Sequence, residues 1–243
     1  MKALLIRVGA DCSSGRFNGP MNGMTREFVY IPIPESCDVH ADLATPYALF
    51  DAALQCFGEV LPKHLVGRNT HLDPDFEHLT YGDQGQRAVQ ITSYLERGDL
   101  VVFYAGLRDL HPRAQLVYAI IGLYVIDDII AARSVPKDRW HENAHTRRVL
   151  RPSSKNDVII KGKKEVSGRL RSCLPIGSYR SSGDAPEKRP CYRVLPDLLR
   201  AWGGLDVSDG FIQRSARLPK FIDADKFYTW FNDQKVEFLE KNN

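Results

Sequence analysis

Two apolar runs restrict the fold of this chain more than anything else in it: Gly98-Asp99-Leu100-Val101-Val102-Phe103-Tyr104-Ala105-Gly106-Leu107, and the stretch from Gln115 to Asp127. Both are dominated by β-branched and aromatic residues, and a polar, proline-containing segment separates them, which predicts a pair of antiparallel strands. Gly98-Asp99 is the turn that feeds the first strand. Side chains alternate along a strand, so Val101, Phe103 and Ala105 share one face while Val102 and Tyr104 share the other. Since both sets are apolar, the sheet needs cover on both sides.

The flanking segments supply candidates for that cover. Ala3 to Val8 lacks polar alternation and predicts a central first strand. Four glycines among small polar residues follow it, from Gly9 to Gly23, a composition that lets backbone approach a ligand and offer N–H groups to an anion, with Gly15, Gly19 or Gly23 at positive φ; a long surface loop needing positive φ at several positions is the alternative. Glu27 to Glu35 reads as an edge strand ended by prolines. Thr45-Pro46 opens an amphipathic helix to Phe57, and Gln86 to Glu96 is a second helix. Asp157 to Gly162 is a strand, Ser178 to Pro190 a mobile loop, and Leu195 to Trp202 a helix stopped by Gly203-Gly204. The final helix is expected over 223–241, with Phe227, Trp230, Phe231 and Phe238 facing the core. No internal repeat marks a second unit, so residues 1–243 are expected to form a single domain.

Charge is distributed unevenly along this length. Residues 133–193 hold 16 Lys and Arg against 6 Asp and Glu, while the whole chain has 33 against 30. A basic segment of this kind points to a nucleic acid or phosphate-bearing partner, or to a solvated lysine-rich surface. No run reaches the roughly 18 apolar residues of a membrane span, so no membrane partner is expected. The opening residues are too short for a signal peptide, which predicts a cytoplasmic protein. Cys12, Cys37, Cys56, Cys173 and Cys191 are odd in number and never in a Cys-x-x-Cys pair, so they read as free thiols rather than disulfides or a zinc knuckle.

Several residues are candidates for a site. The polar stretch His71 to Asp83 invites a metal or acid–base reading, and its Asp-Pro and Tyr-Gly-Asp pairs equally fit turns. Ser134 to Arg148 predicts a short helix on which His141 and His145, four apart, share a face. Ser167-Gly168-Arg169 offers a hydroxyl, a close backbone and a forked donor to a phosphate. The spacing of Cys and His suggests no zinc-type metal site, although Asp11, Asp73 or Asp75 can approach the histidines through folding. The sequence names no cofactor: the glycine loop matches neither the Walker pattern nor the dinucleotide fingerprint, and no Gly-x-Ser-x-Gly nucleophile motif is present.

The Gly-Asp turn, the strand ending in Phe103-Tyr104 and the return strand Ile120-Ile121-Gly122-Leu123-Tyr124-Val125 resemble the central hairpin of PUA-like barrels, including EVE and ASCH domains. That likeness implies an α+β fold whose mixed or antiparallel, barrel-like core is surrounded by helices. Taken with Arg7-Val8-Gly9-Ala10-Asp11, Asn143-Ala144-His145 and Ser167-Gly168-Arg169-Leu170, the sequence is similar to the third of the nucleotide-modification-associated domains. The resemblance implies work with systems that modify bases in DNA, and with other components of such a system. Two functional classes follow, and the absence of a Walker loop and of Gly-x-Ser-x-Gly favours the first, with the enzyme as the alternative. One is a module that binds a nucleotide or modified base, using Tyr104 or Tyr118 for stacking. Its polar contacts would come from Arg7, Asp11, Ser13, Gly15, Asn18, His145, Arg147, Lys161, Ser167, Gly168 and Arg169. The other is an enzyme that transfers or hydrolyses a group on a nucleotide or base, with Asp11, His141 or His145 as general acid or base.

Overall fold

The computed structural model describes residues 1–111, 116–181, 189–213 and 216–243. In chain order the elements are β1 (Ala3–Arg7), β2 (Pro20–Met21), β3 (Ile33–Pro34), α1 (Asp51–Cys56), β4 (Thr70–His71), β5 (Thr80–Asp83), α2 (Gly85–Tyr94) and β6 (Leu100–Asp109). Then come β7 (Leu116–Ala131), α3 (Ala144–Arg147), β8 (Val158–Gly162), β9 (Gly168–Arg180), β10 (Cys191–Val194), α4 (Pro196–Trp202), α5 (Ala224–Asp233) and β11 (Phe238–Leu239). Among the described residues nine strands share one mixed sheet, and β3 and β4 form a separate pair.

The expected hairpin is the middle of that sheet. β6 and β7 pair antiparallel from Leu100↔Val125 to Arg108↔Leu116, and β7 continues to Ala131, past the expected end at Asp127. The far edge of β7 carries β9 beside its first half and β8 beside its second. In the turn before β6, the Asp99 carboxylate accepts the backbone N–H groups of Lys2 and Glu96 at 2.7 and 3.0 Å, tying the start of the chain to the hairpin.

Alternation along β6 divides the core as the pattern requires. Val101, Phe103 and Ala105 pack with Tyr30, Phe76, Tyr81 and Ile91 on one face. Leu100, Val102 and Tyr104 pack with Trp202, Phe221, Phe227 and Phe231 on the other. So α2 and the segment before it cover one side, while α4 and α5 cover the second. Burying each large side chain contributes about 1.5–3 kcal/mol.

Several expectations need correction. The α+β class stands, but the sheet runs from β1 to β5 and does not close into the barrel-like, PUA-like core expected. Closure is blocked because the outer side of β1 is taken by residues 219–221, through Leu5 N–H to Pro219 O at 2.9 Å and Phe221 N–H to Ala3 O at 3.1 Å. β1 is the last named strand on this side of the sheet, yet it is buried and has β6 on one side and residues 219–221 on the other. Glu27 to Glu35 is no continuous strand; only Ile33–Pro34 pairs as a strand, with β4. The last helix stops at Asp233, and Phe238 reaches the core from β11, which pairs with β9. Of the expected mobile loop, Ser178–Arg180 ends β9, while residues 182–188 lie outside the described residues. The helical His pair also fails: Asn143 (φ −149°, ψ 148°) breaks the chain between a 3-10 turn holding His141 and α3 holding His145.

The cysteines give a direct check on this packing. Cys12, Cys37 and Cys56 are exposed and Cys173 is buried, where burial pushes its thiol up to about 12. A thiol reagent at pH 8 should therefore label the three exposed cysteines quickly and Cys173 only on unfolding. Rapid labelling of Cys173 in the native protein would contradict the packing of β9.

Candidate functional site

Five segments far apart in sequence meet at one end of the sheet. His71 ends β4, and Asp73 follows two residues later with its Oδ2 3.9 Å from His71 Nε2, so both side chains turn to the same place. His145 arrives from α3, whose N-cap Asn143 accepts the His145 backbone N–H on its side-chain oxygen at 2.8 Å. The Asn143 amide then donates to Asp73 Oδ1 at 3.2 Å, and the Gly82 N–H of β5 donates to the same oxygen at 2.9 Å. Gly82 is glycine for steric reasons: a Cβ there would overlap the His145 ring and the Asn143 side-chain oxygen.

Both imidazoles are fixed from behind. His71 Nδ1 meets Glu35 Oε2 at 2.8 Å, and His145 Nδ1 meets Asp157 Oδ2 at 3.1 Å. The rings stand edge to face with centroids 4.9 Å apart. Their Nε2 atoms therefore point at one carboxylate oxygen, Asp73 Oδ2, at 3.9 Å from His71 and 3.8 Å from His145. Among the described residues neither Nε2 has a hydrogen-bond partner. All three residues are at most 9% exposed. Burial pushes the Asp73 carboxyl up to about 7 and the His71 imidazole down to about 4. Burial also raises Glu35, but hydrogen bonds from His71 and Arg148 outweigh it and hold this carboxylate below its usual range.

This cluster is the floor of a cleft of about 550 Å³ whose walls include Arg7, Asp11, Ser13, Arg87, Arg148 and Gln213. The wall cations are already engaged. Arg7 donates to Asp11 Oδ2 and Gln213 O, both at 2.5 Å; Arg87 donates to Asp83 Oδ2 at 2.7 Å; Arg148 pairs with Glu35 at 2.8 Å. The glycine loop is likewise occupied with itself. Asp11 Oδ1 accepts Ser13 N–H, Ser13 Oγ–H and Ser14 N–H at 2.6–2.8 Å, so those donors hold a carboxylate of the chain rather than forming an anion nest. Burial raises Asp11, yet these bonds and Arg7 bring it net below its usual value; it anchors the loop and is a poor proton donor at neutral pH. Beside Arg7 runs an aromatic ladder. The Arg7 guanidinium lies 5.0 Å over Tyr118, which stacks on Tyr192 at 4.4 Å, which meets Tyr179 at 5.2 Å. Tyr179 is 61% exposed.

Of the residues expected at a site, Arg7, Asp11, Ser13 and His145 line this cleft. Gly15 turns the loop at φ +84°, whereas Gly19 and Gly23 are not at positive φ; Gly19 is required because a Cβ would strike the Val29 carbonyl. Asn18 is structural, donating to Gly106 O at 2.8 Å. Tyr104 is fully buried with its hydroxyl on Ile212 O, and Tyr118 is 2% exposed, so neither offers a stacking face; Tyr179 does. His141 is exposed outside the cleft, against His78. Arg147 is buried on Asp75 at 2.6 Å, Lys161 faces Glu142 at 3.6 Å, and Ser167 holds the Val125 N–H at 3.0 Å. Gly168 packs against Phe238, and Arg169 lies 4.1 Å over Phe28 in a separate groove. Thus Ser167-Gly168-Arg169 is part of the sheet and contributes nothing to the cleft. Glu35, Arg87 and Arg148 were not foreseen; Asn143 stood only in the Asn143-Ala144-His145 motif, and His71 and Asp73 lay in the polar stretch that equally fits turns. The one usable signal was His71-x-Asp73, since a spacing of two in extended chain puts both ligands on one side.

The basic segment is partly neutralised within the molecule. Seven of its sixteen cations pair, among the described residues, with acids from outside 133–193: Arg147 with Asp75, Arg148 with Glu35, Arg151 with Asp38, Arg171 with Glu237, Lys164 with Glu240, and Arg180 and Arg193 with Asp209. The exposed pairs among them add little stability, but they reduce the positive field that a count along the sequence implies.

The class defined by this geometry is an α+β protein with a buried two-histidine, one-carboxylate pole at the foot of a polar cleft. A match to nucleotide modification associated domain 3 spans residues 2–194, and the chain belongs to that family. The match covers every cleft residue from Arg7 to Arg148 and stops before α4 and α5. No curated protein and no solved structure matches the chain. No helix among the described residues is long and apolar enough to cross a membrane.

Proposed function

We propose that this protein is an enzyme that transfers or hydrolyses a group on a nucleotide or DNA base, and that it acts in the cytoplasm beside other components of a base-modification system. The observation that carries this reading is the floor of the cleft. Two imidazoles, each oriented by its own carboxylate, turn their remaining nitrogens onto a third carboxylate at the bottom of a space large enough for one nucleotide. Binding alone needs no such arrangement, whereas reaction at a fixed atom does. The family supplies the link to nucleotides, and Tyr179, the exposed end of a Tyr179–Tyr192–Tyr118 ladder that reaches the cleft through Arg7, offers a base an aromatic face.

The pairing of the wall cations favours a single nucleotide or an extruded base over a long duplex track. With one or two phosphate contacts, log affinity should fall against log salt with a slope of about −1 to −2; three or four contacts from an open basic surface would give about −3 to −4. Titration of nucleoside phosphates and short single strands over a salt series measures this. His145→Gln should keep binding within a few fold while abolishing product formation followed by mass spectrometry. Absence of binding at low salt would overturn the reading, and so would full turnover by His145→Gln.

A further inference from the structure

We propose that His71 Nε2, His145 Nε2 and Asp73 Oδ2 bind one divalent first-row transition-metal ion, with its open coordination positions facing the cleft. The three ligand atoms all lie within 4.8 Å of one another, and small ring rotations bring such a set to the about 2.0–2.2 Å of metal–imidazole and metal–carboxylate bonds. The atoms behind them already do what a metal site requires. Each imidazole engages a carboxylate through Nδ1, Glu35 for His71 and Asp157 for His145, which selects the tautomer whose Nε2 is a lone-pair donor. Asp73 is fixed through its other oxygen by Gly82 and Asn143, leaving Oδ2 for the ion. Glu35 is itself clamped by Arg148 at 2.8 Å. Asn143 is a positioning residue: it caps the helix that carries His145 and holds Asp73.

The donor set defines the class of ion. Two imidazoles disfavour magnesium and calcium, which take oxygen ligands; no thiolate completes a closed structural zinc site. Two nitrogens and one oxygen with further positions open suit zinc, iron(II) or manganese(II) in a reactive centre. The ion would sit where the proposed reaction needs a Lewis acid or an activated water, so this inference shares the cleft with the function proposed above. Its test does not depend on finding a substrate.

The experiment is elemental analysis of the full chain expressed in metal-supplemented medium and purified without chelator, followed by chelation and reloading with zinc, iron(II) or manganese(II) singly. About one equivalent of a first-row metal per chain is expected, along with a lower melting temperature after chelation that one of the three ions restores. The ion that restores it shows which of the three the site accepts. His145→Gln and Asp73→Asn keep side-chain volume and should lose at least tenfold in affinity while still folding by circular dichroism; His141→Gln should load as the parent does. A parent chain that neither carries nor takes up these ions overturns the proposal, as does unchanged loading in both His145→Gln and Asp73→Asn. Nucleotide binding by a parent chain that neither carries nor takes up these ions would leave the proposed cleft intact and remove only the ion.

Discussion

Arg147→Ala should be the most destabilising of the substitutions considered, lowering the free energy of unfolding by about 3 kcal/mol, because it removes the closer of the two cations on a buried carboxylate, His78 at 3.1 Å being the other. The Arg147 side chain is 10% exposed and that of Asp75 1%, at a separation of 2.6 Å. Arg147 also donates to the His141 carbonyl and to Thr45 Oγ1, so it ties α3 to two other segments. Denaturant unfolding checks the prediction. Arg151→Ala is the comparison, since its pair with Asp38 is 62% and 76% exposed and should matter by no more than about 1 kcal/mol. If the two variants unfold alike, Arg147 is not the internal prop described. A consequence follows for ligand binding: Arg147 acts by holding α3, so the salt slope for nucleotides should survive the substitution even where affinity falls.

Gly82→Ala should act on the site out of proportion to its effect on the fold. The added methyl enters space held by the His145 ring and the Asn143 oxygen, and overpacking of this kind costs about 1–3 kcal/mol. Relief requires His145 to move, which spoils the shared aim of the two Nε2 atoms at Asp73. Loss of metal uptake and of product formation in a protein that still melts cooperatively is the expected result. Gly67→Ala is the control: Gly67 has φ +74° with nothing within 4 Å of its missing Cβ, so it should lose about 1–2 kcal/mol from left-handed backbone strain and leave the cleft unchanged. A Gly82→Ala protein with full metal uptake and turnover would show that His145 has more room than its packing implies.

The sequence by itself determined the features that arise from neighbours along the chain. Alternation of Val101, Phe103 and Ala105 against Val102 and Tyr104 required a sheet with two covered faces, because side chains on a strand alternate whatever lies around them. Periodicity placed α2 and α4 within a residue or two, and the lack of cysteine pairing matches five free thiols. Arg7, Asp11 and His145, expected together from the sequence, line one cleft.

Only the tertiary structure decided how charges and ligands combine. Counted along the chain, residues 133–193 form a basic block; folded, much of that block meets acids brought from residues 35–75 and 209–240, since electrostatic partners are set by distance in space. The site depends on the same fact. His71 and Asp73 lie more than seventy residues before His145, and they meet because β5 pairs with β8 and presents Gly82, where the absence of a side chain lets the His145 ring sit against the backbone. A short polar stretch that the sequence fits equally to turns becomes two ligands because packing across the sheet, which local spacing does not encode, brings the third to them.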